Sequence, residues 1–170
     1  MIQTAIVANK VDIQLFSIYR HVIENEEEMA KGQTKLNKGS KGQNRKGSEA
    51  FLDKYANKAD VQQSATGLMY RVIDAGQGPS PDVLSEVVVH QRILNFDGSV
   101  IADTYKTGIA DRFSVKEAIA GLQEGLLLMS LGARYEFVVP PELAWGKRGV
   151  GNKIGPNAVL QFDVRLLQID

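Results

Sequence analysis

The sequence predicts an α+β domain preceded by a helical segment. From Gly67 onward, apolar and polar residues alternate over several stretches, which is the period of a half-buried β-strand. Near the start of the chain, and again between residues 119 and 129, apolar residues instead recur at steps of three and four, which indicates helices. Because the strands follow one another without a regular strand–helix alternation, the sheet should be antiparallel.

The first predicted element is a helix over residues 7–22. Its apolar face carries Val7, Val11, Leu15, Ile18 and Val22, and Ile6, Ile13, Phe16 and Ile23 widen that face. A short helix with so broad an apolar surface needs a partner, either the main domain or a second copy of itself. Acidic residues crowd positions 24–28, where they oppose the helix dipole, so the helix is expected to fray there.

Residues 31–48 are predicted to form a flexible linker, because they hold six basic residues, no acidic residue and almost nothing apolar. A basic arm for polyanions is the alternative, although six charges in a neutral chain favour the solvated linker. Ser48 is expected to cap a short helix that carries Phe51, Leu52 and Tyr55 on one face. Residues 1–62 are therefore assigned to an N-terminal segment and residues 63–170 to the main domain.

The main domain is predicted to contain four or more strands and one helix. The strands cover residues 68–73, 83–96, 134–139 and 160–166, and the turn dipeptide Asp97-Gly98 closes the second of them. The helix presents Ile119, Leu122, Leu126 and Met129 on one face and ends at Gly132.

The composition excludes several classes of function. Lys and Arg total 20 and Asp and Glu total 20, so a zero net charge argues against nucleic acid or an anionic membrane as a partner. The chain has no cysteine and two histidines, which excludes disulfides, thiolate sites and a histidine-rich metal centre. No apolar run reaches the length of about 18 residues that a membrane span needs. Because no signal peptide is visible, a cytoplasmic location is expected, or a periplasmic one if a leader was removed before Met1.

Several linked motifs in the second half of the chain are similar to one family. They are Val89-His90, Asp97-Gly98-Ser99-Val100, the segment 119–126 (IAGLQEGL), the segment 139–146 (VPPELAWG), the segment 154–158 (IGPNA) and the segment 160–164 (LQFDV). In order and spacing they resemble FKBP-type peptidyl-prolyl isomerases, and residues 50–52 and 64–73 resemble the bacterial Mip/FkpA/FklB-like subgroup. The resemblance implies a twisted antiparallel sheet around one short helix, with an apolar pocket between them, and dimerisation through N-terminal helices.

The resemblance also implies the site and its chemistry. Rotating an X-Pro bond crosses a barrier of roughly 18–20 kcal/mol without protonation or attack, so neither a cofactor nor a metal is expected. Ile119, Trp145 and Phe162 would form the catalytic part of the pocket, and Phe113 and Ile154 would contact substrate. The main-chain N–H of Ile119, at the helix start, would donate to a substrate carbonyl. Trp145 replaces the tyrosine usual in the family.

Four further pocket positions depart from the family pattern. Gln91 stands in place of a tyrosine, Ile101-Ala102 in place of Phe-Asp, and Leu122 in place of a tryptophan, while Asp103 offers a carboxylate one position later. Gln91, Ile101, Asp103 and Leu122 are retained as substrate-binding candidates. Leu122 also fits a plain core position, and Asp103 a plain surface carboxylate. A wider, less aromatic pocket predicts weak isomerase activity.

Two functions from different classes follow. The first is a weak prolyl isomerase that assists the folding of proline-containing polypeptides. The second is a chaperone-like or scaffold module that grips apolar peptide without turning it over. In both, residues 1–30 are expected to form a homodimer, because a lone helix of this length is marginal in water and must dock to persist.

Overall fold

The computed structural model describes residues 41–151 and 153–170. The predicted helix over residues 7–22 and the dimerisation segment 1–30 lie outside this part of the chain. The helices are α1 Lys41–Ala56, α2 Thr104–Thr107 and α3 Ala120–Leu127, with 3₁₀ turns at Val115–Glu117 and Pro141–Leu143. The strands are β1 Gln62–Gln63, β2 Met69–Asp74, β3 Glu86–Asn95, β4 Val100–Asp103, β5 Asp111–Ser114, β6 Arg134–Val139 and β7 Leu160–Ile169.

All seven strands form one antiparallel sheet with the order β1-β2-β6-β7-β3-β4. The fifth strand, β5, also pairs with β3, at the end that begins with Glu86, whereas β4 pairs near the Asn95 end. The edge of β3 that faces away from β7 is therefore covered by two short strands, β5 at one end and β4 at the other. This sheet and helix α3 confirm the predicted α+β class.

The long strands lie at their predicted positions, but β7 continues to Ile169 instead of ending at residue 166, and β3 begins later than predicted. Strand β3 was predicted to begin at Val83, but it begins at Glu86, because the Asp82 side chain stabilises a turn over residues 82–85. Its Oδ1 accepts hydrogen bonds from the main-chain N–H groups of Leu84 (2.8 Å) and Ser85 (2.9 Å), and Leu84 is 73% exposed. Strands β4 and β5 and helix α2 were not predicted, since four residues are too few to establish a period.

One side of the sheet, called the inner face, packs against helix α3. It carries Gln91 and Ile93 of β3, which pair with Val164 and Phe162 of β7, and directly paired residues point to the same side. Gly125 of α3 lies so close to this face that a Cβ atom there would be 2.6 Å from a ring carbon of Phe137. Only a residue without a side chain permits this approach of helix to sheet.

Helix α1 corrects the predicted linker. The prediction of a flexible linker over residues 31–48 is wrong for residues 41–48, which lie in this helix. Ser48 is not a cap: it lies within the helix, where its hydroxyl donates to the main-chain oxygen of Asn157 (2.8 Å) and accepts from the N–H of Val159 (3.0 Å). Tertiary contacts of this kind stabilise a helix whose own composition does not.

The rest of α1 packs on the opposite side of the sheet, the outer face. Tyr55 is buried there with Met69, Val138 and Val159, and its hydroxyl donates to Glu136 Oε1 at 2.6 Å. Burial, followed by the neighbouring Glu136 carboxylate, raises the pKa of Tyr55. Helix α1 thus lies before the predicted domain boundary at residue 62 but packs on the sheet of the main domain. Within the described ranges, no helix is both long and apolar enough to cross a membrane.

Candidate active site on the inner face of the sheet

Seven of the nine predicted site residues belong to one apolar cluster. Those fully buried in it are Ile101, Phe113, Leu122, Ile154 and Phe162, and those partly buried against it are Ile119 and Trp145. Phe113 comes from β5, Leu122 from α3 and Phe162 from β7. The cluster therefore joins the inner face, helix α3 and the connection between β6 and β7, which carries Trp145 and Ile154.

Ile119 is placed by the turn that enters helix α3. It is the residue before the helix, with an extended backbone (φ −60°, ψ 151°), and its carbonyl accepts from the N–H groups of Leu122 and Gln123, both at 2.9 Å. The Gln123 side chain fixes this turn, because its Nε2 donates to the main-chain oxygens of Ala118 (2.6 Å) and Lys116 (3.1 Å). Ile119 thus lies at a rigid corner beside the cluster.

Trp145 is held by main-chain hydrogen bonds on both sides. Its carbonyl accepts from Gly149 N (3.2 Å), and the next residue, Gly146, donates to Pro141 O and accepts from Asn157 N, each at 2.8 Å. Gly146 has a φ of +57°, a conformation that glycine adopts without strain. The half-buried indole therefore sits on a fixed loop against the core.

Asp103 does not join these residues. Its Oδ1 accepts a hydrogen bond from Lys106 N (3.2 Å) and so caps helix α2, and its Oδ2 lies 3.3 Å from Arg92 Nε. Arg92 pairs in register with Asp103 and with Asp163 on the outer face. Tyr105, two residues later, also lies over the outer face, where burial and the charge of Asp163 raise its pKa to about 12.

A different carboxylate lies on the inner face. Asp111 pairs with Val89 across β3 and β5, so both point to the side that also carries Gln91. The Gln91 side-chain Nε2 donates to Asp111 Oδ2 at 2.8 Å, and both residues are buried. None of the sequence motifs points to Asp111. The alternation of Asp111 with Phe113 in a four-residue strand was the only available signal.

These residues offer a particular chemistry. Apart from the Gln91–Asp111 pair, the side chains brought together are apolar or aromatic, so the site provides shape, dry surface and a few hydrogen bonds. In the described part of the chain, no three His, Asp or Glu residues are grouped so that they would hold a metal ion. The arrangement suits a ligand that is bound and reshaped without being attacked.

Two protein-family models together match most of the chain. Residues 78–167 match the model of the FKBP-type peptidyl-prolyl cis-trans isomerase family, and residues 4–72 match the model of the domain amino terminal to it. The peptidyl-prolyl cis-trans isomerase Mip of Coxiella burnetii is 43% identical over 122 residues, which is 72% of this chain and 53% of that protein.

A second relative is the outer membrane protein MIP of Legionella longbeachae, 38% identical over 141 residues, which is 83% of this chain and 60% of that protein. This chain therefore spans between half and two thirds of the length of these two relatives. Among solved structures, the crystal structure of FkpA from Escherichia coli is similar, with a TM-score of 0.74 and 30% identity. The match covers 98% of this chain and 75% of that one.

Proposed function

This chain belongs to the family of FKBP-type peptidyl-prolyl cis-trans isomerases, with the Mip and FkpA proteins among its relatives, and we propose that it isomerises X-Pro bonds in polypeptides. One observation carries the proposal. Phe162, which the family pattern assigns to the pocket, belongs to the main hydrophobic core, and the other two assigned residues, Ile119 at a helix start and Trp145 in a loop, pack against that core. The resemblance inferred from the motifs is confirmed by the two family models and the relatives that match this chain.

The reaction is a rotation about the partial double bond of a prolyl amide. The planar amide is stabilised by a charge-separated resonance form, which water favours and an apolar surface does not. A dry site shaped for the twisted bond therefore binds the transition state more tightly than the planar ground state. In this chain the inner face around Phe113 and Phe162 supplies the apolar surface, and the family pattern assigns the hydrogen-bond donors to the Ile119 main chain and the Trp145 indole.

Reduced activity remains part of the proposal. Ala102 and Leu122 stand where the family pattern has an acid and a tryptophan, and both are buried as ordinary members of the core. If each lost contact removes ~1.4 kcal/mol of transition-state binding, the rate falls about tenfold per contact. The same two residues favour the second candidate function, a module that grips apolar peptide without turning it over.

The first prediction separates these two functions. Replacing Trp145 with alanine should lower kcat/KM for a short X-Pro peptide by at least about tenfold, since a placed donor and an aromatic wall are both lost. The measurement is an exchange or protease-coupled isomerisation assay, with thermal unfolding recorded for each variant. Trp145 suits this test because it is only half-buried.

The matched control is Tyr105→Ala, which removes a partly exposed aromatic ring from the outer face and should leave isomerisation unchanged. Equal rates for the wild-type protein and Trp145→Ala would contradict the assigned site. If the wild-type protein suppresses aggregation of an unfolded substrate without accelerating isomerisation, the binding module is the correct function.

The second prediction concerns assembly: the protein should be a homodimer through residues 1–30. Two observations support this, the broad apolar face of the predicted helix over residues 7–22 and the match of residues 4–72 to the family's amino-terminal domain. Two pockets in one dimer would hold an unfolded chain at two places and raise avidity without changing either site.

Light scattering on the full chain should give twice the chain mass. Substituting two positions of the apolar face together, Leu15→Glu and Ile18→Glu, should give a single chain mass, because buried charges prevent pairing. The control Gln14→Glu places one charge beside that face and should leave the dimer intact. A single chain mass for the unsubstituted protein would end the proposal.

Location is the remaining part of the proposal. The sequence predicts a cytoplasmic location, and the alternative is the periplasm. The naming of the Legionella longbeachae relative as an outer membrane protein supports the alternative.

A further inference from the structure

Gln91 occupies an unusual place on the edge of β3. Strand β5 pairs with β3 only as far as Val89, and β4 pairs with it only from Arg92 onward. In the gap between them, Thr104 Oγ1 accepts a hydrogen bond from Gln91 N (2.7 Å) and donates one to Gln91 O (3.2 Å). A side chain therefore takes the place of a neighbouring strand and fixes the backbone at position 91.

The Gln91 side chain is fixed as well, and in one orientation. Its Nε2 donates to Asp111 Oδ2 at 2.8 Å. An ionised carboxylate can only accept hydrogen bonds, so the amide nitrogen must face Asp111 and the amide oxygen must face away from it. Asp111 thus determines which end of the Gln91 amide is presented to the rest of the inner face.

The presented end is an acceptor without a donor. Gln91 is 3% exposed, and its Oε1 has no hydrogen-bond partner among the residues that the structure describes. Its neighbours on the same face are Ile93 on its own strand and Val164 directly across on β7, and both are apolar. Leaving a buried carbonyl oxygen without a donor costs free energy, and a ligand that brings a donor recovers it.

We propose that Gln91 is a specificity-determining residue, whose Oε1 accepts a hydrogen bond from the bound polypeptide, and that Asp111 is the positioning residue that orients it. The inference rests on the proposed function of the site. The substrate class is an X-Pro segment that presents an N–H donor beside the proline, from its main chain or from the side chain of residue X. A segment without such a donor leaves Oε1 unpaired and is a poorer substrate.

The test measures how strongly catalysis depends on the donor. In the main-chain arm, a peptide is compared with an analogue in which an ester replaces the amide after proline, which removes one N–H. In the side-chain arm, lysine at X is compared with norleucine. In one arm the wild-type protein should prefer the donor-bearing peptide by about tenfold in kcat/KM, and Gln91→Met, which lacks the acceptor, should show no preference.

Asp111 is tested by exchanging the two functional groups. Asp111→Asn alone no longer dictates the amide orientation, so the preference should fall without a change in contacts to the peptide. The double variant Gln91→Glu with Asp111→Asn restores a bond between the two positions with the donor reversed, and it leaves one carboxylate oxygen as an acceptor. This variant should recover the preference, and it decides the question if Gln91→Met does not fold.

Three results would overturn the inference. They are an equal loss in Gln91→Met for donor-bearing and donor-free peptides, a wild-type protein without any preference in either arm, and no recovery in the double variant. If the wild-type protein does not isomerise at all, the proposed function fails by itself. The same peptides are then compared by dissociation constant in an NMR titration, where equal affinities for both members of each pair would overturn the inference.

Discussion

Replacing Phe162 with alanine should lower the free energy of unfolding by about 3–5 kcal/mol, the largest effect expected of any substitution considered for this chain. Phe162 is 1% exposed and lies in β7 between two neighbouring strands, in register with Ile93 of β3 on one side and Phe137 of β6 on the other. Loss of its ring leaves a cavity that these two strands, held by the sheet, cannot close. Denaturant unfolding measures the loss directly.

A second phenylalanine gives the control. Phe51 on α1 is only partly buried, at the margin of the outer-face cluster, so Phe51→Ala should cost clearly less than Phe162→Ala. A loss below about 1 kcal/mol for Phe162→Ala would mean that the centre of the inner face is loosely packed. Because Phe162 holds the fold together, an inactive Phe162→Ala protein says nothing about catalysis, and Trp145 is the informative position.

Elements of this chain are predictable from the sequence where their apolar pattern is long. Strand β7 was predicted because Leu160, Phe162, Val164 and Leu166 alternate with polar residues over seven positions, and the structure buries all four. Strands β4 and β5 have four residues each and show no comparable signal. Local periodicity is informative where one face stays buried over a long stretch, and it fails where pairing is brief.

Helix α1 was misjudged for a different reason. Residues 41–48 are glycine-rich and basic, which is typical of a linker, but Ser48 is bonded to Asn157 and Val159, 109 and 111 residues away in sequence. Composition reflects only residues that are close in sequence, whereas this helix is stabilised by residues close to the C-terminal strand. Long-range packing therefore outweighed local propensity.

The candidate site shows how sensitive a polar position is to register. Asp103 is one position from Ala102, and in a strand one position changes the face, so its carboxylate caps α2 on the outer side. The inner-face carboxylate, Asp111, comes from another strand and is recognisable only once β3 and β5 are paired. The apolar members of the site were predictable from the motifs, and its hydrogen-bonding pair was not.

Alanine at position 125 should destabilise the protein by about 2 kcal/mol, although alanine is the better helix former by about 1 kcal/mol. A Cβ atom at this position would stand 2.6 Å from Phe137 Cε1 and 2.9 Å from Cδ1 and Cζ. The Phe137 ring is fully buried beneath α3, so it cannot move aside, and the helix must shift from the sheet. Because Ile119 begins this helix, the same shift should also lower isomerase activity.

Gly42→Ala is the matched control, since none of the residues that the structure describes would lie within 4 Å of a Cβ atom there. In that variant only the backbone term remains, and stability should rise by up to about 1 kcal/mol. The two glycine-to-alanine changes should therefore shift the denaturation midpoint in opposite directions. A Gly125→Ala protein as stable as the unsubstituted one would mean that α3 does not lie against Phe137, and the placement of Ile119 beside the inner face would fail with it.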